Sequence, residues 1–535
     1  MSKTRPLWAV ALLAALIPLG FALYTQHAWE DYFITLRTSR NLAEGNGLVF
    51  NVGERVHTFT SPLGVLVPAF CTILAGSHHE DAALWIFRGL NAALLAAAAM
   101  LAWQRTAALG VGRVGRVTLI GMLCTDAKLV DFSINGMETA ILVFFVLLLW
   151  SELEAESPRS SVIAIAVGGL MWTRPDAFIV GGALLVSRVA FRSPVPGAPR
   201  APWATLARGL LLGGAIYLPW FVWAWWYYGT PVPHTIVAKG AYTASVKLTA
   251  LLGVPWEILT GKGLAPDLFL PTYSSFGGWP AGLNQAAHVL SVIAAFAWLV
   301  PGLSVTARRA SLAVFIGLFY LCSIILFPWY VPPWTALASV AIALTLDRLH
   351  VRAVAAGRKP IELACRLTGV GLIGLQASML VATAWQMSIV QRHVETGVRR
   401  SLGEWLAGHA APGDTVFLEP LGYMGYYSQL KTYDFPGLSS PEVVAAVRGG
   451  ARRYADVIAR LHPTWVVLRP GEAARPEFAS TQVLRDYDYV QTWDALPVLD
   501  QIQFLPGRSW VEGEARFILF HRRMTAGKAP SALKP

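Results

Sequence analysis

Two adjacent acidic residues, Glu30 and Asp31, follow the first hydrophobic segment of the chain. A carboxylate inside hydrocarbon is costly, so an acidic pair at the rim of an apolar segment is a functional-site hypothesis by default. A carboxylate at a membrane surface can take a proton from a hydroxyl group and so act as a general base. Because two neighbouring carboxylates oppose joint ionisation, the pKa of one should rise unless a cation or an arginine intervenes.

The acid pair opens a segment, residues 29–44, whose spacing predicts a helix that stops at Gly45. Arg37 and Arg40 lie roughly two turns farther along this helix. Guanidinium groups can take up the charge that develops on a phosphate leaving group, so the combination suits glycosyl transfer from a lipid phosphate. Acids also occur in first turns because they cap helices, and the spacing leaves both interpretations open.

The composition is that of a polytopic membrane protein. Of the 535 residues, 55% are hydrophobic and 14% are charged, with 21 tryptophans and a mean hydropathy of +0.49. These values exclude a soluble globular protein. The net charge of +11 would fit a nucleic-acid partner, but the basic residues cluster in short loops between apolar segments, where they set membrane orientation. We therefore expect no nucleic-acid partner.

The basic loops predict the topology. We interpret the run 7–25 as an uncleaved helix with its amino end in the cytoplasm, because no small-residue cleavage site follows it. The run 63–75 is too short to cross a membrane, so residues 26–81 form one external loop. The positive-inside rule then gives about eleven spans in a domain of residues 1–390. They lie near residues 7–25, 84–103, 116–131, 138–151, 160–173, 176–190, 208–228, 285–304, 311–327, 333–346 and 365–388.

The composition changes after residue 390, and residues 391–535 predict a water-soluble α/β domain outside the membrane. Residues 441–461 are amphipathic and predict one helix. The patch 422–427, Gly-Tyr-Met-Gly-Tyr-Tyr, either contacts a sugar through its aromatic faces or packs in a small core. Short apolar runs at 415–418, 465–468 and 517–520 predict buried strands.

The stretch WEDYFITLRTSRNLAEGNGLVFNVGERVHTFTSPL, residues 29–63, resembles the first external loop of bacterial GT-C glycosyltransferases. The shared features are a paired-acid start, an aromatic-Ile-Thr helix, a G-x-G-x-V-x-N-x-G-E-R-V hairpin and a T-S-P-L helix start. Later pieces match in the same order along the chain, so we expect a GT-C fold. They are Asn135-Gly136-Met137-Glu138-Thr139, Thr173-Arg174-Pro175-Asp176, Tyr227-Tyr228-Gly229, 233–239, Gly425-Tyr426-Tyr427-Ser428 and 437–442.

The chain is most similar to the mycobacterial terminal arabinofuranosyltransferase type and more distantly to protein mannosyltransferases and aminoarabinose transferases. That resemblance implies a hexosyl- or pentosyltransferase with a polyprenyl-phosphate sugar donor. It implies inverting transfer on the outer side of the cytoplasmic membrane to a cell-envelope glycan, lipid or protein. Asp31 would be the catalytic base, and Glu30 would either tune the pKa of Asp31 or help to hold a divalent cation.

The chain departs from the family pattern at two positions. Relatives usually begin the loop with two aspartates, and here the first acid is Glu30, whose longer arm changes any metal role. Relatives often carry an acid before T-S-P-L, whereas this chain has His57-Thr58-Phe59. His57 therefore becomes a candidate for contact with a different acceptor.

Further charged residues are candidates for substrate contact, each beside a structural alternative. His234 and Lys239 either meet a lipid phosphate or anchor at the headgroups. Glu138, at the outer end of a span, contacts substrate or is simply solvated. Arg174 and Asp176 lie at a break between two apolar segments, where a mutual ion pair is the favoured interpretation because membrane charges usually pair.

A transporter or flippase for lipid-linked sugars is the alternative of a different class. It predicts charges at the membrane centre and broken helices in two related halves. In this chain the acids instead gather in the first external loop and a soluble domain ends the sequence, which favours an enzyme. The donor sugar, the acceptor and any metal requirement are left open by the sequence.

Overall fold

The computed structural model describes residues 5–191, 203–242, 251–261, 266–324 and 326–523. The first part of the chain is helical and apolar, and the second is a smaller mixed α/β unit. The helices of the first part are Arg5–Thr25, Glu30–Ala43, Pro62–Ala75, Glu80–Ala108, Arg113–Thr125, Ala127–Ile134, Thr139–Leu153, Ser160–Thr173, Phe178–Ala190, Trp203–Tyr228, His234–Tyr242, Val254–Thr260, Ala281–Phe296, Val305–Cys322, Pro332–Ala355 and Lys359–Ile389.

Six helices within the described ranges are long and apolar enough to cross a membrane. The prediction of about eleven spans is therefore confirmed only in its class, a polytopic helical protein. The predicted span 116–131 is two helices that meet at Asp126, whose side chain accepts a hydrogen bond from the Leu129 N–H at 2.9 Å. The six are Leu7–Thr25, Glu80–Ala108, Trp203–Tyr228, Ala281–Leu299, Val305–Cys322 and Lys359–His409.

The last of these six helices links the two parts of the protein. It begins at Lys359, widens into a π-helical segment at Val390–Arg400 and ends as the helix Ser401–His409. π-helical turns are uncommon and often lie at functional sites. Because Val394, Val398 and Leu402 are buried in the core of the α/β unit, this helix joins the membrane part rigidly to that unit.

The α/β unit contains a five-stranded mixed sheet with the strand order β2-β1-β3-β5-β4. Strands β1 and β3 coincide with two predicted apolar runs, and β5 contains the third. The predicted helix 441–461 is interrupted at Gly450, whose φ of +100° is left-handed and ends the first of two helices. The strands are β1 Thr415–Leu418, β2 Lys431–Asp434, β3 Trp465–Leu468, β4 Tyr487–Asp494 and β5 Arg516–Arg522; the helices are Gly422–Ser428, Pro441–Arg448, Tyr454–Leu461, Pro470–Ala473, Pro476–Thr481, Leu496–Leu499 and Arg508–Gly513.

Two short helices of the predicted external loop position the acid pair. Glu30–Ala43 begins at the first acid, and Pro62–Ala75 starts from Ser61, whose hydroxyl accepts a hydrogen bond from the Gly64 N–H at 2.8 Å. With 14 residues, Pro62–Ala75 is shorter than the roughly 20 residues that a span needs. The two helices pack side by side, with the Ser39 hydroxyl donating to the Val65 carbonyl at 2.8 Å.

Candidate active site

The start of the helix Glu30–Ala43 is held against the helix Ala127–Ile134 by buried hydrogen bonds. The Trp29 N–H donates to the Asn135 carbonyl at 2.8 Å, and the His27 ring contacts Asp131 at 3.2 Å. The Arg88 guanidinium donates to the His27 carbonyl at 2.7 Å. These bonds fix the backbone immediately before the two acids, so the acids project from a rigid turn.

Gly136 explains why the Asn135-Gly136-Met137-Glu138-Thr139 piece accompanies the first loop. Its φ is +103°, and a Cβ at this position would overlap the ring of Tyr32. Only glycine allows the two backbones to approach this closely. The motif therefore seats the acidic helix and, two residues later, presents Glu138 beside it.

The helix Glu30–Ala43 also contacts both ends of the helix Gly422–Ser428 in the α/β unit. At one end the Gly422 N–H donates to Glu30 Oε1, and a Cβ on Gly422 would overlap the Glu30 carbonyl oxygen. At the other end Arg37 donates to the carbonyls of Gly425 at 2.7 Å and Leu430 at 3.0 Å. An anion at the amino end and a cation at the carboxyl end match the dipole of the helix Gly422–Ser428.

This contact corrects the roles expected for the two arginines. Arg37 is buried beneath the α/β unit, where its guanidinium lies over the Phe50 ring at 4.3 Å. Arg40 pairs with Glu44 at 2.8 Å on the protein surface. Neither arginine lines a cavity that contains Asp31, so we assign neither to a phosphate.

The patch 422–427 packs rather than presenting aromatic faces to a cavity. Tyr423 and Tyr426 are buried against Phe33, with ring centroids 4.1 and 5.2 Å from the Phe33 ring. The Tyr423 hydroxyl donates to the Ala28 carbonyl at 3.1 Å. Of the two interpretations left open by the sequence, core packing is the one that the contacts support.

A cavity of about 530 Å³ lies between the membrane part and the α/β unit, with Glu30 and Asp31 on its wall. This volume is within the usual range for small-molecule sites. Its wall combines aromatic side chains with charged ones. Besides the two acids, the charged and aromatic lining consists of His27, Trp29, Lys239, Tyr273, Phe327, Trp329, Glu395, Arg399, Glu419, Phe435, Tyr454, Arg469, Arg475, Trp510 and Glu514.

The charges on the α/β side of this large cavity form one network of ion pairs. Arg399 contacts Glu395 at 2.7 Å and also Glu514. Arg469 contacts Glu419 and Glu514, each at 2.7 Å. Burial lowers the pKa of Arg399, but the surrounding carboxylates raise it by more. Its pKa is therefore above the ordinary value, and this arginine is charged. Sequence reasoning missed this network, because the pairs of Arg469 with Glu419 and Glu514 join residues 50 and 45 positions apart and leave no local spacing signal.

A second cavity, of about 80 Å³, meets the first at Asp31 and Lys239. It is lined mainly by the motif pieces of the membrane part, including Thr58, Glu138 and Arg174. Arg174 pairs with Glu138 at 3.2 Å and with Asp176 at 3.1 Å, and it lies over the Tyr330 ring at 4.3 Å. The expected Arg174–Asp176 pair is present, and the structure adds Glu138 to it.

The two acids are half-buried at the junction of these cavities. Burial, and then the charge of Asp31, raise the pKa of Glu30 well above its ordinary value, although Arg399 opposes the shift. Burial also raises the pKa of Asp31, and the Lys239 ammonium opposes this shift. The groups that intervene are therefore Arg399 and Lys239 rather than Arg37 and Arg40.

The two histidines expected at the site lie behind it. His57 is buried and stacked on Tyr228 with ring centroids 4.6 Å apart, and burial lowers its pKa to about 4, so it is neutral. The His57 carbonyl accepts a hydrogen bond from the His234 N–H at 2.7 Å. Neither ring lines the two cavities, whereas the neighbouring Thr58 and Thr235 line the small one.

No group of three or more His, Cys, Asp or Glu side chains in the described parts of the chain has a metal-binding arrangement. At the acid pair, Glu30 already accepts the Gly422 N–H. Hard divalent cations prefer several oxygen ligands, whereas the other charged neighbours here are one carboxylate, Glu395, and three cations, Lys239, Arg174 and Arg399. These residues do not fit a cation site.

One family model and two named relatives match parts of this chain. Residues 387–515 match a domain of unknown function, DUF8728. The chain is similar to a terminal β-(1→2)-arabinofuranosyltransferase of Corynebacterium glutamicum, with 31% identity over 259 residues, 43% of this chain and 34% of the relative. The protein of the same name from Mycobacterium tuberculosis is 28% identical over 259 residues, 44% of this chain and 38% of that protein. The chain thus spans little more than a third of these relatives.

Solved structures agree over nearly the whole chain. ArnT from Cupriavidus metallidurans bound to undecaprenyl phosphate matches with a TM-score of 0.55 and 11% identity, over 99% of this chain and 100% of ArnT. The Archaeoglobus fulgidus oligosaccharyltransferase, in a complex with zinc and sulfate, matches with a TM-score of 0.50 and 12% identity, over 91% of this chain and 72% of that one. The expected GT-C fold is confirmed.

Proposed function

We propose that this protein is a membrane glycosyltransferase that moves a sugar from a polyprenyl phosphate to a hydroxyl group of a cell-envelope glycan, with inversion at the anomeric carbon. The observation that supports this most strongly is the position of Asp31, on the wall of both cavities at once. A general base for this reaction has to reach the acceptor hydroxyl while the sugar lies between acceptor and phosphate.

Each of the two substrates binds in a different cavity. The donor phosphate lies toward the small cavity, where Lys239 and Arg174 provide positive charge beside Asp31. The acceptor lies in the large cavity, on the other side of the anomeric carbon. The acceptor oxygen attacks that carbon, its proton passes to the Asp31 carboxylate, and the bond from carbon to phosphate oxygen breaks with its electron pair on the phosphate.

Lys239 supplies the electrostatic part of the reaction. Its ammonium lies over the Phe327 ring at 4.5 Å, and its charge acts on Asp31. A cation placed before the reaction where negative charge develops stabilises the transition state without reorganisation. Arg174 pairs with Glu138 and Asp176, and we assign it to holding the small cavity in shape.

Glu30 is the residue that orients the base. Its carboxylate accepts the Gly422 N–H, which ties the first turn of the catalytic helix to the α/β unit. Burial raises the pKa of Asp31, while the side-chain hydrogen bond with Glu30 lowers it; the charge of Asp31 in turn helps to raise the pKa of Glu30. A base whose pKa lies closer to the working pH accepts a proton more effectively than an ordinary aspartate. No step of this proposal passes through a metal ion.

The large cavity suits a carbohydrate acceptor. Sugars present apolar C–H faces and hydroxyl groups, and here the flat rings of Trp29, Tyr273 and Trp510 face the same space as a network of charged donors and acceptors. The Trp29 and Tyr273 rings are stacked at 6.0 Å, and those of Tyr273 and Trp510 at 3.5 Å. This wall is built by both parts of the protein.

The names of the relatives suggest the substrates. Two relatives are named as arabinofuranosyltransferases, which supports a pentofuranosyl donor. The matching ArnT structure holds undecaprenyl phosphate, which supports a polyprenyl-phosphate carrier. We place the reaction on the outer side of the cytoplasmic membrane, because the basic loops assign the acid pair and the α/β unit to that side.

Transfer by the purified protein in detergent tests the proposal. The donor is a polyprenyl-phosphate arabinofuranose with a radiolabelled sugar, and the acceptor is an octyl oligoarabinofuranoside. We expect labelled product and an equal amount of free polyprenyl phosphate from the wild type. Asp31→Asn should lower the rate by about 10³-fold, because it removes the general base. Asp81→Asn changes an exposed acid of the same loop and should leave the rate unchanged.

Wild-type rates in Asp31→Asn would reject the assignment of the base. If the wild-type protein moved intact donor across a vesicle membrane without releasing polyprenyl phosphate, it would be a flippase. That result would reject the proposed glycosyltransferase. Substitution of the donor sugar by a hexose, with the carrier unchanged, separates a wrong choice of sugar from a wrong class of reaction.

A further inference from the structure

A third cavity lies at the end of the membrane part away from Asp31. It has a volume of about 580 Å³ and lies between the helices Arg113–Thr125, Pro332–Ala355 and Lys359–Ile389. Pro332 follows directly on the aromatic segment that borders the catalytic cavities, and His350, at the third cavity, lies 18 residues farther along the same helix. At 1.5 Å per residue this separates the two ends by roughly 27 Å, close to the thickness of a bilayer core.

Polar and apolar groups are separated within this cavity. Arg113 and Arg366 provide its cationic groups beside the His350 ring; Arg366 donates to that ring at 3.4 Å and pairs with Glu362 at 2.5 Å. The rest of the wall is almost wholly aliphatic, with Val117 and Val370 exposed by 44% and 69%. Such exposure on a membrane-crossing surface means contact with lipid chains rather than with protein.

A buried acid holds the cationic end in place. Asp347 accepts hydrogen bonds from the Gly112 N–H at 3.1 Å and the Gly115 N–H at 3.3 Å, at the start of the helix that carries Arg113. A Cβ on Gly115 would crowd the Asp347 Cβ, so the glycine allows the two helices to touch. Asp347 therefore fixes Arg113 beside His350, which lies one turn after Asp347 on the helix Pro332–Ala355.

We propose that this cavity is a binding site for an anionic phospholipid, with the headgroup phosphate at Arg113 and Arg366 and an acyl chain along the valine-lined wall. The cationic mouth of the cavity matches a phosphate headgroup, and its apolar body matches an acyl chain. Together they define the occupant as an anionic lipid. This site is independent of the proposed transfer reaction.

Native mass spectrometry of the purified protein tests this site, with phosphatidylglycerol and phosphatidylcholine of identical acyl chains as probes. We expect the wild type to retain phosphatidylglycerol in preference to phosphatidylcholine. The double variant R113Q/R366Q should lose that preference by at least about fivefold, because each basic residue contributes appreciably to attraction of an anionic lipid. R348Q/R358Q removes the same charge from exposed residues outside the cavity and should keep the preference.

Val370→Trp provides a variant that leaves every charge in place. The indole should fill the apolar wall and reduce retention of both lipids at this site, with the unfolding temperature in lipid-free detergent unchanged because Val370 is exposed. The proposal is overturned if the wild type shows no preference for phosphatidylglycerol, if R113Q/R366Q behaves like R348Q/R358Q, or if Val370→Trp retains both lipids at wild-type levels.

Discussion

The two cavities that meet at Asp31 are assembled from different parts of the chain. The small cavity is lined almost entirely by side chains of the membrane part, and its motif pieces follow one another within short stretches. The large cavity takes about half of its wall from the α/β unit, through ion pairs between residues far apart in sequence. In our proposal the small cavity holds the donor phosphate and the large cavity selects the acceptor.

This difference has a structural cause. The phosphate and the anomeric carbon require a few charges at fixed positions, which short helices packed in the membrane part can supply. An acceptor glycan requires a broad surface of rings and hydrogen-bonding groups, which a second unit can change without disturbing the base. The clamp formed by Glu30 and Arg37 on the helix Gly422–Ser428 keeps the two walls in register.

The largest effect should follow a change on the donor side. Lys239→Met removes the ammonium at the junction while keeping a side chain of similar length. We expect kcat/KM for the polyprenyl-phosphate donor to fall by about 10² to 10³-fold, the range typical for loss of one preorganised transition-state contact. Steady-state transfer rates at varied donor concentration measure this, with Lys431→Met, whose lysine pairs with Glu54 and Glu442 outside both cavities, as the control.

An equal loss in Lys431→Met would show that charge alone, rather than its position, decides the rate. A Lys239→Met variant with altered acceptor KM and unchanged donor kinetics would reverse the division of the two substrates between the cavities.

The next effect concerns the clamp that joins the two walls. Arg37→Met removes the side-chain donor of the Leu430 carbonyl and one of the two donors of the buried Gly425 carbonyl, so we expect a loss of about 3 kcal/mol in stability. Arg40→Met is the matched control on the same helix and should cost at most about 1 kcal/mol, because its pair with Glu44 is at the surface. Thermal or denaturant unfolding of the purified proteins compares the two variants.

If Arg40→Met destabilised the protein as much as Arg37→Met, the clamp would have no special role. If instead Arg40→Met abolished donor binding while Arg37→Met did not, the original expectation of an arginine at the phosphate would be restored for Arg40.

A smaller effect should appear on the acceptor side. Trp510→Ala removes an aromatic face from the large cavity, and we expect the acceptor KM to rise about tenfold with the donor KM unchanged. Trp510→Phe keeps a ring stacked on Tyr273 and should restore most of the affinity. Kinetics with the octyl oligoarabinofuranoside at saturating donor measure both variants. An equal rise in donor KM would mean that the large cavity does not discriminate between the substrates.

The division between the cavities also explains what could be predicted from the sequence. Asp31, Glu138, Arg174 and Lys239 lie in local motifs, and all four line the small cavity. Their expected catalytic roles remain proposals. Arg399, which pairs with a residue 115 positions away, was not predicted, because its partner is defined only by tertiary structure.

The fold shows the same limit. Strands β1 and β3 are short apolar runs and were predicted, because they are buried on both faces. Strand β4 was missed, because it lies at the sheet edge and most of its side chains are polar or exposed. The number of about eleven spans stays a prediction, and the bounds of one of them differ: the run 116–131 breaks into two short helices at Asp126, since hydrophobicity alone does not show where a helix turns.

The smallest effect is the pH dependence of protein stability that arises from the acid pair. Burial raises the pKa of both Glu30 and Asp31, so the folded protein binds protons on these groups more readily than the unfolded chain does. Their contribution to stability is therefore fully present at low pH and is lost as the pH rises through the raised pKa values. Transfer has the opposite dependence, because the base must be ionised, and should fall with decreasing pH sooner than for an ordinary aspartate.

Asp31→Asn removes a carboxylate that is costly to bury, so at pH 7.5 it should raise the midpoint of thermal unfolding by about 2 °C while lowering the transfer rate by about 10³-fold. Asp81→Asn, an exposed acid of the same loop, should leave both unchanged. At pH 5 the difference between wild type and Asp31→Asn should shrink, because protonation already relieves the repulsion. A midpoint that falls in Asp31→Asn at pH 7.5 would mean that Lys239 and Arg399 more than offset the burial of the pair, and the small cavity would then be stabilised by the charge that it uses for catalysis.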